Sequence, residues 1–172
     1  MTWFPLIIIS AVSIAIARVL QKLLLSKMKV DPIVLSVSFQ VMTAAIIFCG
    51  ALMIGISTEG YIDFWPNIIL MTVLYTFGNY FLFKGYQIGE ASVVSLMLAS
   101  TTIWTILFSL IFLGEELASN DLVGIGLILL ALIILNREGL QNIRNFGRGE
   151  LYGLITGVFF GIALGNDLYI IG

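Results

Sequence analysis

Between Pro32 and Thr58 the chain reads PIVLSVSFQVMTAAIIFCGALMIGIST, 27 consecutive residues without a charge. An α-helix rises 1.5 Å per residue, so ~20 such residues cross the ~30 Å of hydrocarbon in a bilayer. The stretch reads as a membrane span. Uncharged runs on either side repeat the pattern: Trp3 to Ala17, Phe64 to Phe83, Ala91 to Gly114, Leu122 to Asn136 and Leu151 to Asn166. The shorter ones reach spanning length by including flanking residues, and the expected count is six.

The charges sort themselves once the chain is threaded through six spans. Arg18, Lys22, Lys27 and Lys29 fall at the first connection, Lys84 at the third, and Arg137, Arg144 and Arg148 at the fifth. The second and fourth connections carry Glu59, Asp63, Glu115, Glu116 and Asp121 and no base. The positive-inside bias then places connections one, three and five in the cytoplasm and the N-terminus outside the cell membrane. Arg18 and Lys22 sit where long side chains snorkel to the headgroups.

With 60% apolar residues, 10% charged residues and a mean hydropathy of +1.10, the composition excludes an ordinary soluble domain. There is no basic patch for nucleic acid. His is absent and Cys49 has no second cysteine, so no metal centre, internal disulfide or cofactor-dependent enzyme is expected. Serines such as Ser95, Ser100 and Ser109 lack a candidate base, and no span carries a pair of acids.

Helix punctuation marks the spans as helical. Asp31-Pro32 offers a capping carboxylate followed by Pro at the first helical position, Trp65-Pro66 opens span three with an interfacial indole, and Ser119 is placed to cap span five. No period-two alternation suggests a barrel. The fold class is an all-α polytopic membrane protein.

Span six has a second period. Gly153, Gly157, Gly161 and Gly165 recur every four residues and line one stripe of the helix. Small residues on such a stripe let a neighbouring backbone approach closely, which is how helices associate in lipid. These four glycines are expected to be a helix-packing face, with its neighbour unidentified.

Three segments carry a family resemblance. Phe83-Lys84-Gly85-Tyr86-Gln87-Ile88-Gly89-Glu90-Ala91-Ser92 resembles the A-L-K/R-Y-x-x-A-S turn between the third and fourth helices of the EamA repeat of the drug/metabolite transporter superfamily. Phe112-Leu113-Gly114-Glu115-Glu116-Leu117 is similar to its F-L-G-E-x-L ending of helix four. Val123-Gly124-Ile125-Gly126-Leu127-Ile128-Leu129 is similar to its fifth helix. The chain departs at Gly85 and Tyr86, where the turn usually starts Ala-Leu, and at Ala131, where a glycine is common. The resemblance implies a five-helix EamA repeat over 1–138, a cytoplasmic connector over 139–149, and the first helix of an incomplete second repeat over 150–172. The family expectation adds four further helices. It also implies that Glu115 marks a structural turn.

A transporter needs polar and aromatic groups near the bilayer midplane, on spans that share a cavity. Gln40 and Thr43 offer such groups in span two, but the resemblance favours spans three and four. The substrate-path candidates are Tyr75, Asn79, Tyr80, Thr101, Thr102 and Trp104. Tyr75 and Asn79, four apart, share a helix face. The short turn from Lys84 to Glu90 is expected to make spans three and four antiparallel neighbours, with Tyr75, Asn79 and Trp104 on one cavity. Asp167, the only acid inside span six, is the ion-path candidate; counting along the helix puts it near the outer interface, where an interfacial residue is the cheaper explanation. The expected function is secondary transport of a small metabolite or drug. The alternative is a non-transporting subunit, or a half-transporter that assembles with another copy or with the missing second repeat. The expected partners are the lipid bilayer and a small-molecule substrate, with no cofactor and no nucleic acid.

Overall fold

The computed structural model of the chain describes residues 3–55, 61–114, 119–135 and 147–171. Every regular element among them is a helix. α1 covers Trp3–Ser26 and α2 Pro32–Ile54; a short 3-10 turn, Tyr61–Phe64, leads into α3, Trp65–Ile88. Span four is made of α4, Ala91–Leu98, and α5, Thr101–Phe108, extended by a π-helical turn over Ser109–Leu113. α6 is Ser119–Leu135 and α7 is Arg148–Ile171. Five of the six expected spans are long and apolar enough to cross a bilayer: α1, α2, α3, the Ala91–Leu113 segment and α7. The fifth apolar run forms α6, 17 residues long. Glu115, Glu116, Arg137 and Arg144 lie outside the described residues.

The helix ends follow from local chemistry. The Asp31 carboxylate accepts a hydrogen bond from the Ile33 N–H at 2.7 Å, and Pro32 occupies a first-turn position whose N–H would have no intrahelical acceptor. α2 stops at Gly55, in the left-handed region at φ 72°, where a side chain would be strained. Ser119 is the first helical residue of α6 rather than its cap.

The arrangement of spans differs from expectation. α7 packs along α3, α4 and α5, so spans three and four meet directly only near their connecting turn. The reason is glycine. A Cβ on Gly89 would come within 2.9 Å of Gly149 Cα, and one on Gly85 within 3.3 Å of the Gly149 carbonyl oxygen. The backbones of α3 and α7 therefore converge at the Gly85–Gly89 end of α3, and α7 runs from that vertex between α3 and α5. Just inside it Leu25, Leu82, Phe83, Tyr86 and Val94 form the buried core. Tyr86 Oη and Ser95 Oγ, 2.9 Å apart, add a polar tie between α3 and α4.

Lys22 has partners within the bundle. Its ammonium donates to the carbonyl oxygens of Tyr86 at 2.7 Å and Gly89 at 2.5 Å, capping the C-terminus of α3 where carbonyls lack helical partners. Arg18 turns back to Gln21, donating to Oε1 at 3.2 Å, and Gln21 is buried. α1 and α2 otherwise present their apolar side chains outward, from Ile7 and Val12 to Phe48 and Ile54. That surface is matched to hydrocarbon rather than water.

Candidate functional site

Two faces of α7 define the region where the candidate residues lie. At ~100° per residue, Gly161 points about a quarter-turn from Phe160, so the glycine stripe and the aromatic edge meet different neighbours. On the stripe, a Cβ on Gly153 would lie 2.9 Å from Met97 Cβ, one on Gly157 would meet Ser100 Oγ, one on Gly161 would meet Trp104 Cβ, and one on Gly165 would meet the Phe108 ring. The neighbour of the stripe is span four. In place of side chains, Thr105 Oγ1 reaches across to the Gly161 carbonyl oxygen at 3.2 Å.

The other edge packs on α3 through aromatic rings. Phe159 stacks on Phe77 and Phe81 with centroids 6.1 and 5.7 Å away, and Tyr152 stacks on Phe81 at 5.8 Å. Phe160 sits over Gly78, whose missing side chain makes room for it, and beside Tyr75 at 5.6 Å.

Toward the outer end this edge becomes polar. Asn67 Nδ2 donates to Asn166 Oδ1 at 2.8 Å, and Asn166 Nδ2 returns a bond to the Asn67 carbonyl oxygen at 3.0 Å. Asn166 is fully buried, so this exchange supplies partners that lipid cannot. Next to it, Tyr75 Oη donates to Asp167 Oδ2 at 2.7 Å, while Asp167 Oδ1 is closed to solvent and has no hydrogen-bond partner among the described residues.

Span four supplies a break in the helical ladder. Ala99 N–H is shared between the carbonyl oxygens of Ser95 at 3.2 Å and Leu96 at 3.1 Å, and Ser100 N–H bonds to that of Met97 at 3.1 Å, tightening the chain toward 3-10 geometry between α4 and α5. Thr101 Oγ1 occupies the Leu98 carbonyl oxygen at 2.5 Å. Ser100 Oγ, pressed toward Gly157, is buried without a partner.

The sequence candidates divide accordingly. Tyr75 and Asp167 are brought together; Trp104 rests its Cβ on Gly161 with its ring partly exposed, and Thr102 is exposed. Asn79 turns its amide to the Tyr75 carbonyl oxygen at 2.9 Å, and Tyr80 packs beside Phe81. Tyr75 and Trp104, expected with Asn79 on one cavity, contact different sides of α7, which lies between α3 and α5. Gln40, set aside in favour of span three, instead joins it: its Oε1 accepts from Thr76 Oγ1 at 3.1 Å. Asn67 and Asn166 were not singled out, although two asparagines inside apolar helices are a readable signal of a partner across an interface. No cluster of three or more His, Cys, Asp or Glu side chains suited to a metal occurs among the described residues.

No curated relative and no solved structure matches the chain. A family model does, over residues 1–137, and it is described as the EamA-like transporter family. That match covers most of the 172 residues and joins a helical, multi-pass membrane architecture: the chain belongs to the EamA-like transporter family.

Proposed function

We propose that the protein is a secondary transporter of a small metabolite or drug, acting in the cell membrane with its N-terminus outside. The observation that carries this reading is the interruption of span four. Ser100 lies nine residues from Ala91, ~14 Å along the helix and close to the bilayer midplane. Secondary transporters bind substrate at that depth, at irregular turns of their helices; here the turn keeps its backbone bonds, and Ser100 Oγ is the group it leaves without a partner among the described residues. Ser100, Thr101, Thr102 and Trp104 would line the path from span four, and Tyr75, Asn79 and Tyr80 from span three. In this reading α7 is the first helix of a second repeat, and the path closes or opens as span four moves over its glycine face. The acidic second and fourth connections and the basic first, third and fifth support the orientation.

The test is uptake by the whole gene product in liposomes. Trp104→Ala and Asn79→Ala are expected to lower uptake with folding and insertion intact, and substrate is expected to protect a cysteine at Tyr75 from alkylation. Unchanged uptake in both variants, with no protection, would place the path elsewhere.

A further inference from the structure

We infer that Asp167 is the anionic half of a binding site for a small monovalent cation, either a sodium ion or the ammonium group of a primary amine. The inference deepens the transport reading and rests on it for any role in translocation. The binding itself rests on geometry. Asp167 Oδ2 is held by the Tyr75 hydroxyl at 2.7 Å, and Oδ1, equally shut off from solvent, meets no donor. A carboxylate oxygen left without a partner in a low-dielectric interior is costly, and the ordinary remedy is a positive charge beside it.

Among the described residues, the helices that pack around Asp167 do not bring that charge. The bases of α3 and α7 are Lys84 and Arg148, both at the cytoplasmic ends, and α4 and α5 have none. Lys84 lies nine residues, ~14 Å, from Tyr75, and Arg148 nineteen residues, ~29 Å, from Asp167. Lys84 is also engaged, donating to Gln87 Oε1 at 3.1 Å. The neighbouring amides do not substitute: Asn67 and Asn166 each spend one N–H within their own exchange, and neither donates to Asp167. Tyr75 contributes a second element. Its hydroxyl fixes Oδ2, which leaves Oδ1 as the free acceptor, and its ring is held in place against Phe160.

The site lies between the two helices joined most extensively in the molecule, so a cation that bridges Asp167 would strengthen the α3 to α7 contact. Ligand binding to the folded state then raises thermal stability by mass action. Purified full-length protein in mild detergent is melted in sodium chloride, methylammonium chloride or choline chloride at equal ionic strength. Sodium or methylammonium is expected to raise the midpoint by several degrees over choline, in Glu150→Gln as in the wild type, and not in Asp167→Asn. Which salt acts identifies the source of the charge. A wild type that melts alike in all three salts overturns the inference, and so does a shift that survives in Asp167→Asn.

Should Asp167→Asn fail to fold, infrared spectroscopy of the wild type gives an independent reading. A carboxylate stretching band that shifts as sodium or methylammonium is added but not with choline, and that lies elsewhere in Tyr75→Phe, supports the site. Carboxylate bands that do not move at saturating salt overturn it. Neither measurement needs a transported substrate, so cation binding without uptake would sink the transport reading and leave this one standing.

Discussion

Tyr75 and Asp167, 92 residues apart in the chain, are joined by a 2.7 Å hydrogen bond that ties span three to span six. By length along their helices the two stand at different levels, Tyr75 ten residues from the start of α3 and Asp167 four residues from the end of α7. The tyrosine spans the difference. Side chains on a helix lean toward its N-terminus, and the N-terminus of α3 lies beside the C-terminal half of α7, so the phenol reaches outward to the carboxylate.

The glycine face gives the most direct stability contrast. A Cβ on Gly161 would lie 2.9 Å from the Thr101 carbonyl oxygen and 3.0 Å from Thr105 N, both backbone atoms, whereas one on Gly126 meets nothing within 4 Å. Gly161→Ala is expected to cost ~1–3 kcal/mol through overpacking. Gly126→Ala is expected to be neutral or stabilising by up to ~1 kcal/mol, because alanine is the better helix former. Unfolding in mixed detergent micelles measures both, and equal effects would mean that the close approach of α7 to span four is absent.

Removing one member of the asparagine exchange strands the other. Asn67→Ala leaves a fully buried amide at Asn166, and is expected to cost ~1–3 kcal/mol. The double replacement of Asn67 and Asn166 by Leu and Val should recover much of that loss. Additive losses in a double-mutant cycle would contradict the pairing.

Lys22→Met removes two bonds to the carbonyl oxygens at the end of α3. Hydrogen exchange at the amides of Tyr86 to Gly89 is expected to accelerate, with exchange in the middle of α3 unchanged. Unaltered exchange at that end would show that the ammonium does not hold it.

Much of the architecture is legible in the sequence because its causes are local. Asp31-Pro32 and Trp65-Pro66 announce helix starts, and the four-residue glycine period announces a close-packed face. What the sequence does not show is which backbone fills that face, since Val94, Met97, Ser100 and Trp104 carry no mark of facing glycine. Lys22 was unreadable for a similar reason: its acceptors are main-chain carbonyls, which every residue has. The distance in depth between Tyr75 and Asp167 concealed their contact, because counting Cα positions ignores the reach of a tyrosine. The position of α7 between spans three and four was hidden by the short turn joining them, which implies adjacency along their whole length when only the glycine vertex is adjacent.

Orientation is tested with a variant lacking Cys49. A cysteine at Asp63 is expected to react with a membrane-impermeant maleimide added outside intact cells, and one at Lys29 only after the membrane is opened. The reverse pattern would invert the topology.

Transport by the whole gene product in liposomes tests the account most directly. Proteoliposomes are offered amino acids, sugars, nucleosides and cationic drugs in turn, with empty liposomes and protein bearing Trp104→Ala as controls. The account predicts saturable uptake of at least one class, well above empty liposomes and reduced by Trp104→Ala. Folded, correctly inserted protein that takes up none of them would contradict it and favour a subunit that does not transport alone.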